Sequence, residues 1–92
     1  MKIKVEKSFD RDVDKINDKR LLTRLRALIS TIESAAAVRD IPHIKKIEGY
    51  ESYYRIKLGH YRLGMEILAN REVILLRLLH RKDIYRYFPK RR

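Results

Sequence analysis

The chain has 92 residues, no cysteine and a formal net charge of +11. At this length one domain with a single core is expected over residues 1–92, and the lack of thiols excludes disulfides, thiolate metal sites and a cysteine nucleophile. The charge predicts a polyanionic partner, with a basic protein that has no special partner as the alternative. No apolar run approaches the ~20 residues that cross a bilayer, so a cytoplasmic protein without membrane contact is expected.

The N-terminal part of the sequence predicts one strand and two helices. Alternation of apolar and charged residues from Lys2 to Glu6 indicates a short strand. Ser8 is expected to cap a first helix and Asp18 a second helix over residues 19–38, because apolar residues recur at helical spacing after each of them. Only a few residues separate the two helices, so they are expected to pack antiparallel as a hairpin.

In the C-terminal half the apolar period changes to two, which is typical of β-sheet. Two strands are predicted over residues 52–58 and 61–67, and Gly59-His60 supplies a two-residue turn between them. A second turn at residues 69–71 leads into residues 73–79. This last segment is apolar enough to form the central strand of a sheet.

A final helical turn is predicted within residues 83–88, ended by Pro89 and followed by residues 90–92 as a solvated tail. The order strand, helix, helix, strand, strand, strand predicts an α+β fold. In this fold the N-terminal strand and the helical hairpin pack on one face of a mostly antiparallel four-stranded sheet. The opposite face is expected to stay open.

The predicted hairpin turn sets which side chains meet on the open face. Counting back from it places Lys57 opposite Arg62 and Arg55 opposite Gly64. Like charges directly opposed weaken a sheet, which indicates an anion held between them; two side chains that diverge into water are the alternative. Gly64 would leave a bare floor that a ligand backbone can approach, and an ordinary bulge glycine explains it equally well.

The last strand is expected to add two cations to this face. Arg77 and Arg81 share strand parity, so if Ile74, Leu76 and Leu78 point into the core, both arginines join the cations of the open face. Sequence alone does not fix the register of this pairing. The expectation therefore depends on regular alternation along the whole strand.

No plausible metal site accompanies the cations, because the three histidines are scattered and acidic residues do not cluster with them at ligand spacing. There is no glycine-rich phosphate loop either, and no cofactor is expected. Phosphate chemistry would then depend on cations and proton-transfer groups alone. This indicates RNA, whose 2′-hydroxyl can attack its own neighbouring phosphate.

Two segments, residues 53–64 and 79–85, resemble the signature segments of the RelE/ParE toxin superfamily, and residues 44–50 resemble that family's approach to its first central strand. The resemblance extends over essentially the whole chain. It implies the toxin of a type II toxin–antitoxin system, of the RelE-like branch. Such a toxin is a ribosome-dependent endoribonuclease, or mRNA interferase, which cleaves the message in the ribosomal A site without a metal, through 2′-hydroxyl attack, and so inhibits translation.

The resemblance, with strand parity, indicates seven site residues. Four are expected to be catalytic and three to bind the substrate: Lys57, Arg62, Arg81 and Tyr85 in the first group, and Arg55, Arg77 and Lys82 in the second. Arg62 and Arg55 are implied to stabilise charge on the phosphorane, and Arg81 the leaving 5′-oxygen. Tyr85 would orient or stack on the target nucleotide, with a packed structural tyrosine as the alternative.

The general base is left open by the sequence. Arg55 stands where the best-known pattern of the family has a lysine, and arginine is a poor proton acceptor. Lys57 is one candidate, since neighbouring cations disfavour its protonated form. His80 is the rival, although its parity assigns it to the core side of the strand and favours a structural role. His60 is expected to be a solvated turn residue.

The resemblance also implies partners. An acidic antitoxin is expected, whose disordered segment folds around the toxin and covers its cations or displaces the turn with Tyr85. The ribosome and messenger RNA are the other partners, and operator DNA would be contacted only through the antitoxin. The competing functions are a ParE-like toxin that targets gyrase and a non-catalytic RNA- or ribosome-binding module.

Overall fold

The computed structural model describes residues 1–89, and the predicted solvated tail of residues 90–92 lies outside them. The elements are β1 (Lys2–Val5), α1 (Lys7–Asp14), α2 (Lys19–Ser34), a 3-10 turn (Val38–Asp40), β2 (Ile44–Lys46), β3 (Tyr53–Leu58), β4 (Tyr61–Ile67), β5 (Glu72–His80) and α3 (Ile84–Tyr87). The strands form one sheet in the order β1-β5-β4-β3-β2. β1 is parallel to β5 and the other neighbours are antiparallel, which confirms the predicted α+β class.

The sheet has five strands where four were predicted. The additional strand is β2, which pairs with β3 at one edge of the sheet. It has only three residues, which is too short for an alternation of apolar and polar side chains to be visible in the sequence. Its place in the sheet therefore depends on its partner strand and not on its own pattern.

The core lies between one face of the sheet and the helices α1 and α2. Its buried apolar side chains are Phe9, Leu21, Leu25, Leu28, Ile32, Ile41, Ile56, Leu58, Leu63, Met65, Ile67, Val73, Leu75 and Leu78. Full burial of one such side chain contributes about 1.5–3 kcal/mol. The alternation of β3 and β4 is thereby fixed, because a slip of one residue would expose the whole apolar set.

The helix α2 begins where the sequence predicts and ends four residues earlier. The Asp18 carboxylate accepts a hydrogen bond from the Leu21 N–H at 3.1 Å, which confirms the predicted cap. The helix ends at Ser34, and the backbone of Ala35 is extended. A separate 3-10 turn follows, in which the Asp40 carboxylate accepts a hydrogen bond from the Ala37 N–H at 3.2 Å. Like the other helices within residues 1–89, α2 is not long and apolar enough to cross a membrane.

The strand β5 contains a bulge opposite β4. Gly64 pairs with Arg77, whereas the next residue of β4, Met65, pairs with Leu75. Leu76 is therefore the extra residue, unmatched on β4. An insertion of this kind leaves no mark in the apolar pattern, because the whole segment is hydrophobic. It changes the face to which each neighbouring side chain points.

Because of the bulge, the predicted alternation of β5 is partly wrong. Ile74 and Leu76 were expected to point into the core with Leu78. Val73 and Leu75 are buried instead, and only Leu78 is in the core as expected. From Arg77 onward the strand nevertheless alternates as predicted, with Arg77 on the open face and Leu78 in the core.

The outer edge of β5 is completed partly by a strand and partly by a helix. β1 pairs with β5 only as far as Leu75. Beyond that point α1 takes over: the Ser8 hydroxyl donates to the Leu76 carbonyl at 2.6 Å, and the Asp12 carboxylate accepts the Leu78 N–H at 2.9 Å. These bonds satisfy backbone groups that an exposed edge would otherwise offer to another chain.

The same contact explains why the predicted cap of α1 is wrong. The helix follows β1 almost directly, and its N-cap is Glu6, whose carbonyl accepts the N–H groups of Phe9 and Asp10. Ser8 thus lies inside the first turn. Its hydroxyl is used at the edge of the sheet, an interaction that depends on the tertiary fold.

Candidate functional site

The register of β3 and β4 brings three cations together on the sheet face opposite the core. Lys57 pairs with Arg62, and Arg55 pairs with Gly64, which confirms the register counted from the turn. Lys57 is exposed, whereas Arg55 and Arg62 are partly buried. The two arginines therefore lie low on the sheet, and the lysine extends further into solvent.

The side chain of Arg62 is held in place by the turn. Its Nη1 donates to the carbonyls of Gly59 at 3.0 Å and Tyr61 at 2.9 Å. A guanidinium has five N–H donors in a fixed plane, so the remaining donors are oriented while still free to bind an anion. Arg62 is therefore positioned before any ligand arrives.

The turn after β5 carries Arg81 to the same end of the sheet. The Arg81 N–H donates to the His60 carbonyl at 2.7 Å, which ties this turn to the β3–β4 turn. Two further bonds close it: the Asp83 N–H donates to the His80 carbonyl at 2.8 Å, and the Lys82 N–H donates to His80 Nδ1 at 3.2 Å. The side chains of Arg81 and Lys82 are both exposed at this end.

His80 is part of a small ring cluster beside this turn. Its ring stacks on His60 with centroids 6.1 Å apart and meets Tyr61 edge-on at 5.8 Å. It lies on the same side of β5 as the buried Leu78, as its parity predicts. With Nδ1 accepting the Lys82 N–H, only Nε2 remains for any proton transfer.

Two ion pairs are present within residues 1–89. Lys4 binds Glu72 at 3.1 Å at the β1–β5 edge, and the hydrogen bond from Lys4 lowers the pKa of Glu72. Arg77 binds Asp12. In this part of the chain no carboxylate neutralises the remaining cations of the site, Arg55, Lys57, Arg62, Arg81 and Lys82. The end of the sheet that carries them is therefore strongly positive.

Arg77 lies on this face, but its guanidinium is already paired with a carboxylate of the protein. Its Nε and Nη2 donate to the Asp12 carboxylate at 2.8 and 3.1 Å, and its guanidinium lies over the ring of Tyr87, 5.3 Å from the centroid. Asp12 is the residue that sequence reasoning missed here. Its helical spacing placed it beside the buried Phe9, and an acid in that position requires a partner.

The centre of the face is not open, so the predicted bare floor at Gly64 is wrong. The ring of Phe88 lies directly on Gly64, where an added Cβ would come within 2.7–2.9 Å of three ring atoms. Phe88 is only 2% exposed and also meets Tyr53 edge-on, with centroids 5.6 Å apart. The chain after α3 folds back because this aromatic ring is buried there. Gly64 thus makes room for the protein's own C-terminal segment.

Tyr85 lies on the short helix α3 next to the cationic end. It is 57% exposed, whereas its neighbour Ile84 is fully buried and anchors the helix. A tyrosine with this exposure is accessible to a ligand. Within residues 1–89, no group of three or more His, Asp or Glu side chains has an arrangement that would hold a metal ion.

The chain matches known proteins over nearly its whole length. A family model described as ParE toxin of type II toxin-antitoxin system, parDE, matches residues 3–85. Toxin RelE3 of Methanocaldococcus jannaschii is 38% identical, over 97% of this chain and 100% of that protein. The crystal structure of a RelB-RelE antitoxin-toxin complex from Methanococcus jannaschii contains a chain with 35% identity and a TM-score of 0.77, covering 92% of this chain and 98% of that one.

An archaeal RelE-RelB complex from Pyrococcus horikoshii OT3 has the same fold, with a TM-score of 0.72, 21% identity, and coverage of 90% of this chain and 97% of that one. The family match and the 38% identity show the relationship, and the shared fold agrees with it. The chain belongs to the RelE/ParE superfamily and is a RelE-like toxin of a type II toxin–antitoxin system.

Proposed function

We propose that this toxin is a ribosome-dependent, metal-independent endoribonuclease that cleaves messenger RNA in the ribosomal A site and so inhibits translation. The observation that carries the proposal is the group of four cations at one end of the sheet, Arg55, Lys57, Arg62 and Arg81, which have no carboxylate partner within residues 1–89. A site of this kind suits a phosphate whose negative charge increases during the reaction.

The two partly buried arginines stabilise the phosphorane in this proposal. Arg55 and Arg62 lie on adjacent strands of the same face at diagonal positions, since Arg55 pairs with Gly64 and Arg62 with Lys57. Arg62 is already oriented by the carbonyls of the turn, so it loses little freedom when the charge develops. Preorganisation of this kind favours the transition state over free substrate.

Proton transfer and departure of the 5′-oxygen fall to the more exposed groups. Lys57 extends beyond the arginines and, as the neutral amine, takes the proton from the 2′-hydroxyl while the 2′-oxygen attacks the phosphorus. Arg81, at the neighbouring turn, neutralises the leaving 5′-oxygen, and Tyr85 stacks on or orients the target nucleotide. The bond from phosphorus to the 5′-oxygen breaks and this oxygen takes a proton from solvent, so the products are a 2′,3′-cyclic phosphate and a 5′-hydroxyl.

The two remaining predicted residues differ in role. Lys82 is exposed and adds to the field that attracts the RNA. Arg77 is held between Asp12 and Tyr87, so it positions α3 and the exposed Tyr85 beside the cations. We therefore assign Arg77 a positioning role in place of direct substrate binding.

A cognate antitoxin is the second part of the proposal. The solved relatives from Methanococcus jannaschii and Pyrococcus horikoshii are toxins in complex with RelB antitoxins. By analogy, an acidic segment that folds on this chain would cover the cationic end or displace the turn that carries Tyr85. Either arrangement would prevent the message from reaching Arg55 and Arg62.

The test is cleavage of a message on purified, translating ribosomes. The toxin is first treated with EDTA, which removes any bound metal, and then freed of EDTA; the RNA ends are mapped at single-nucleotide resolution. Codon-phased cuts that require the ribosome, and that Arg62→Ala abolishes, are the expected result. Arg26→Ala is the matched control, because Arg26 is an exposed cation on α2.

Other outcomes identify the alternatives. Inhibition of gyrase supercoiling without RNA cuts would show a ParE-like activity, for which the matching family description leaves room. Binding to ribosomes without cuts would show a non-catalytic module. Either result would overturn the proposed nuclease.

A further inference from the structure

The loop between β2 and β3 carries an aromatic ring next to the cationic face. Tyr50 is 37% exposed and contacts Tyr53, with ring centroids 5.3 Å apart and an interplanar angle of 58°. Tyr53 in turn meets the buried Phe88 edge-on. The ring of Tyr50 is therefore supported from the protein side while it stays accessible from solvent.

Hydrogen bonds fix this loop. The Ile47 N–H donates to the Tyr53 carbonyl at 2.8 Å, and the Tyr50 N–H donates to the Ile47 carbonyl at 3.3 Å. The Ser52 hydroxyl donates to the Glu66 carboxylate at 2.8 Å. A ring that is held in this way before binding loses less conformational freedom when a ligand stacks on it.

The strand β3 joins the aromatic and cationic parts of the face. Tyr53, Arg55 and Lys57 occupy every second position of β3 and therefore lie on the same side of the strand. Their side chains follow one another at intervals of about 6–7 Å. Aromatic rings next to a row of cations are the combination that single-stranded nucleic acids require, because cations hold the phosphates and rings stack on the bases.

The charges around Tyr50 distinguish a base from other ligands. Glu48 and Glu51 flank it in the sequence, and both are exposed. They disfavour a phosphate or an acidic side chain directly at the Tyr50 ring, whereas the exposed Lys45 of β2, which pairs with Arg55, attracts a phosphate further along the face. A neutral base is not repelled, and carboxylates also accept hydrogen bonds from amino groups of bases. The favoured occupant is thus a nucleobase whose phosphate lies toward Arg55.

We propose that Tyr50 is a base-stacking residue for a nucleotide that flanks the cleaved one. The inference rests on the proposed function, since it requires the message to lie along Arg55 and Lys57. It adds a second aromatic position, on the loop between β2 and β3, to that of Tyr85 on α3. The RNA would then contact two aromatic side chains in addition to the cations.

The test uses the full-length toxin and fluorescent 2′-O-methyl RNA oligonucleotides, which lack the 2′-hydroxyl needed for cleavage. Each base is replaced in turn by an abasic site, and affinity is measured by fluorescence anisotropy at low salt. Tyr50→Ala is expected to weaken binding of the complete oligonucleotide at least about fivefold, the lower end of what one stacked base contributes. The same substitution should leave unchanged the affinity for the oligonucleotide whose abasic site lies at the proposed subsite. Tyr50→Phe keeps the ring and should bind normally.

Several results would overturn the proposal. An equal loss of affinity for complete and abasic oligonucleotides would show that Tyr50→Ala merely disturbs the loop, and an unchanged affinity would show that no base stacks there. Failure of the unmodified toxin to bind any oligonucleotide would overturn the subsite together with RNA binding by this face. In contrast, a base-specific loss combined with the absence of cleavage on ribosomes would retain the subsite and overturn the nuclease.

Discussion

The guanidinium of Arg77 binds the carboxylate of Asp12 through two hydrogen bonds, from Nε at 2.8 Å and from Nη2 at 3.1 Å. Asp12 is buried, and its carboxylate also accepts the Leu78 N–H. Because Arg77 lies over the ring of Tyr87 as well, one ion pair connects α1, β5 and α3. The helix that carries Tyr85 is therefore coupled to the edge of the sheet.

Asp12→Ala should reduce the free energy of unfolding by about 3–5 kcal/mol, because it leaves a largely buried guanidinium and a backbone N–H without their partner. Urea unfolding followed by circular dichroism measures the loss. Asp14→Ala, at an exposed position of the same helix, is the control and should change stability by less than about 0.5 kcal/mol. A loss below about 1 kcal/mol for Asp12→Ala would show that the pair is not a structural anchor.

The contact between Gly64 and Phe88 predicts a pair of coupled substitutions. Gly64→Ala should destabilise the fold by about 1–3 kcal/mol, since the new methyl group overlaps the Phe88 ring. Phe88→Ala alone should cost about 3–5 kcal/mol. The double variant should lose less than the sum of the two, because without the ring there is nothing for the methyl group to displace. Additive losses in denaturant titrations would mean that the ring does not rest on Gly64.

Arg62→Ala and Arg81→Ala should each lower single-turnover cleavage of ribosome-bound message by about 10²–10³-fold, as loss of one donor to developing charge does elsewhere. Both should remain folded, because neither side chain is part of the buried core. Growth arrest on expression should disappear in parallel. Full toxicity of both variants, with normal circular dichroism spectra, would refute their assignment to the site.

Lys57→Ala and His80→Ala separate the two candidates for the general base. Lys57→Ala should remove cleavage without loss of stability, because this side chain is exposed. His80→Ala should mainly reduce stability, since it removes the acceptor of the Lys82 N–H and the contacts with His60 and Tyr61. Thermal unfolding and cleavage rates are measured on both proteins. If His80→Ala is stable and inactive, His80 is the base and Lys57 is not.

Local features of the structure were predictable from the sequence. The two-residue turn after Leu58 fixed the pairing of Lys57 with Arg62, because antiparallel register follows from the turn by counting. The helix cap at Asp18 was equally predictable, since its hydrogen-bond partner, the Leu21 N–H, lies only three residues away. Such features involve neighbouring residues, and their chemistry is contained in a short segment.

The features that sequence did not reveal all depend on distant partners. Asp12 and Arg77 are separated by 65 positions, and nothing near either residue indicates the other. The bulge at Leu76 lies in a continuous apolar segment, where a shift of one residue leaves the pattern unchanged. Phe88 returns to Gly64 across the sheet, and neither residue type alone predicts that contact. Tertiary packing decided each of these.

The last prediction concerns the proposed antitoxin and the charge of +11. If an acidic segment covers Arg55, Lys57, Arg62 and Arg81, electrostatic attraction speeds the encounter, while apolar contacts formed afterwards set the lifetime of the complex. Raising NaCl should therefore slow association strongly and change dissociation little, as measured by stopped-flow fluorescence. Sucrose at matched osmolality is the control, since it does not screen charge. Association that is insensitive to salt, or full cleavage of ribosome-bound message by the saturated complex, would show that the antitoxin does not act by covering these cations.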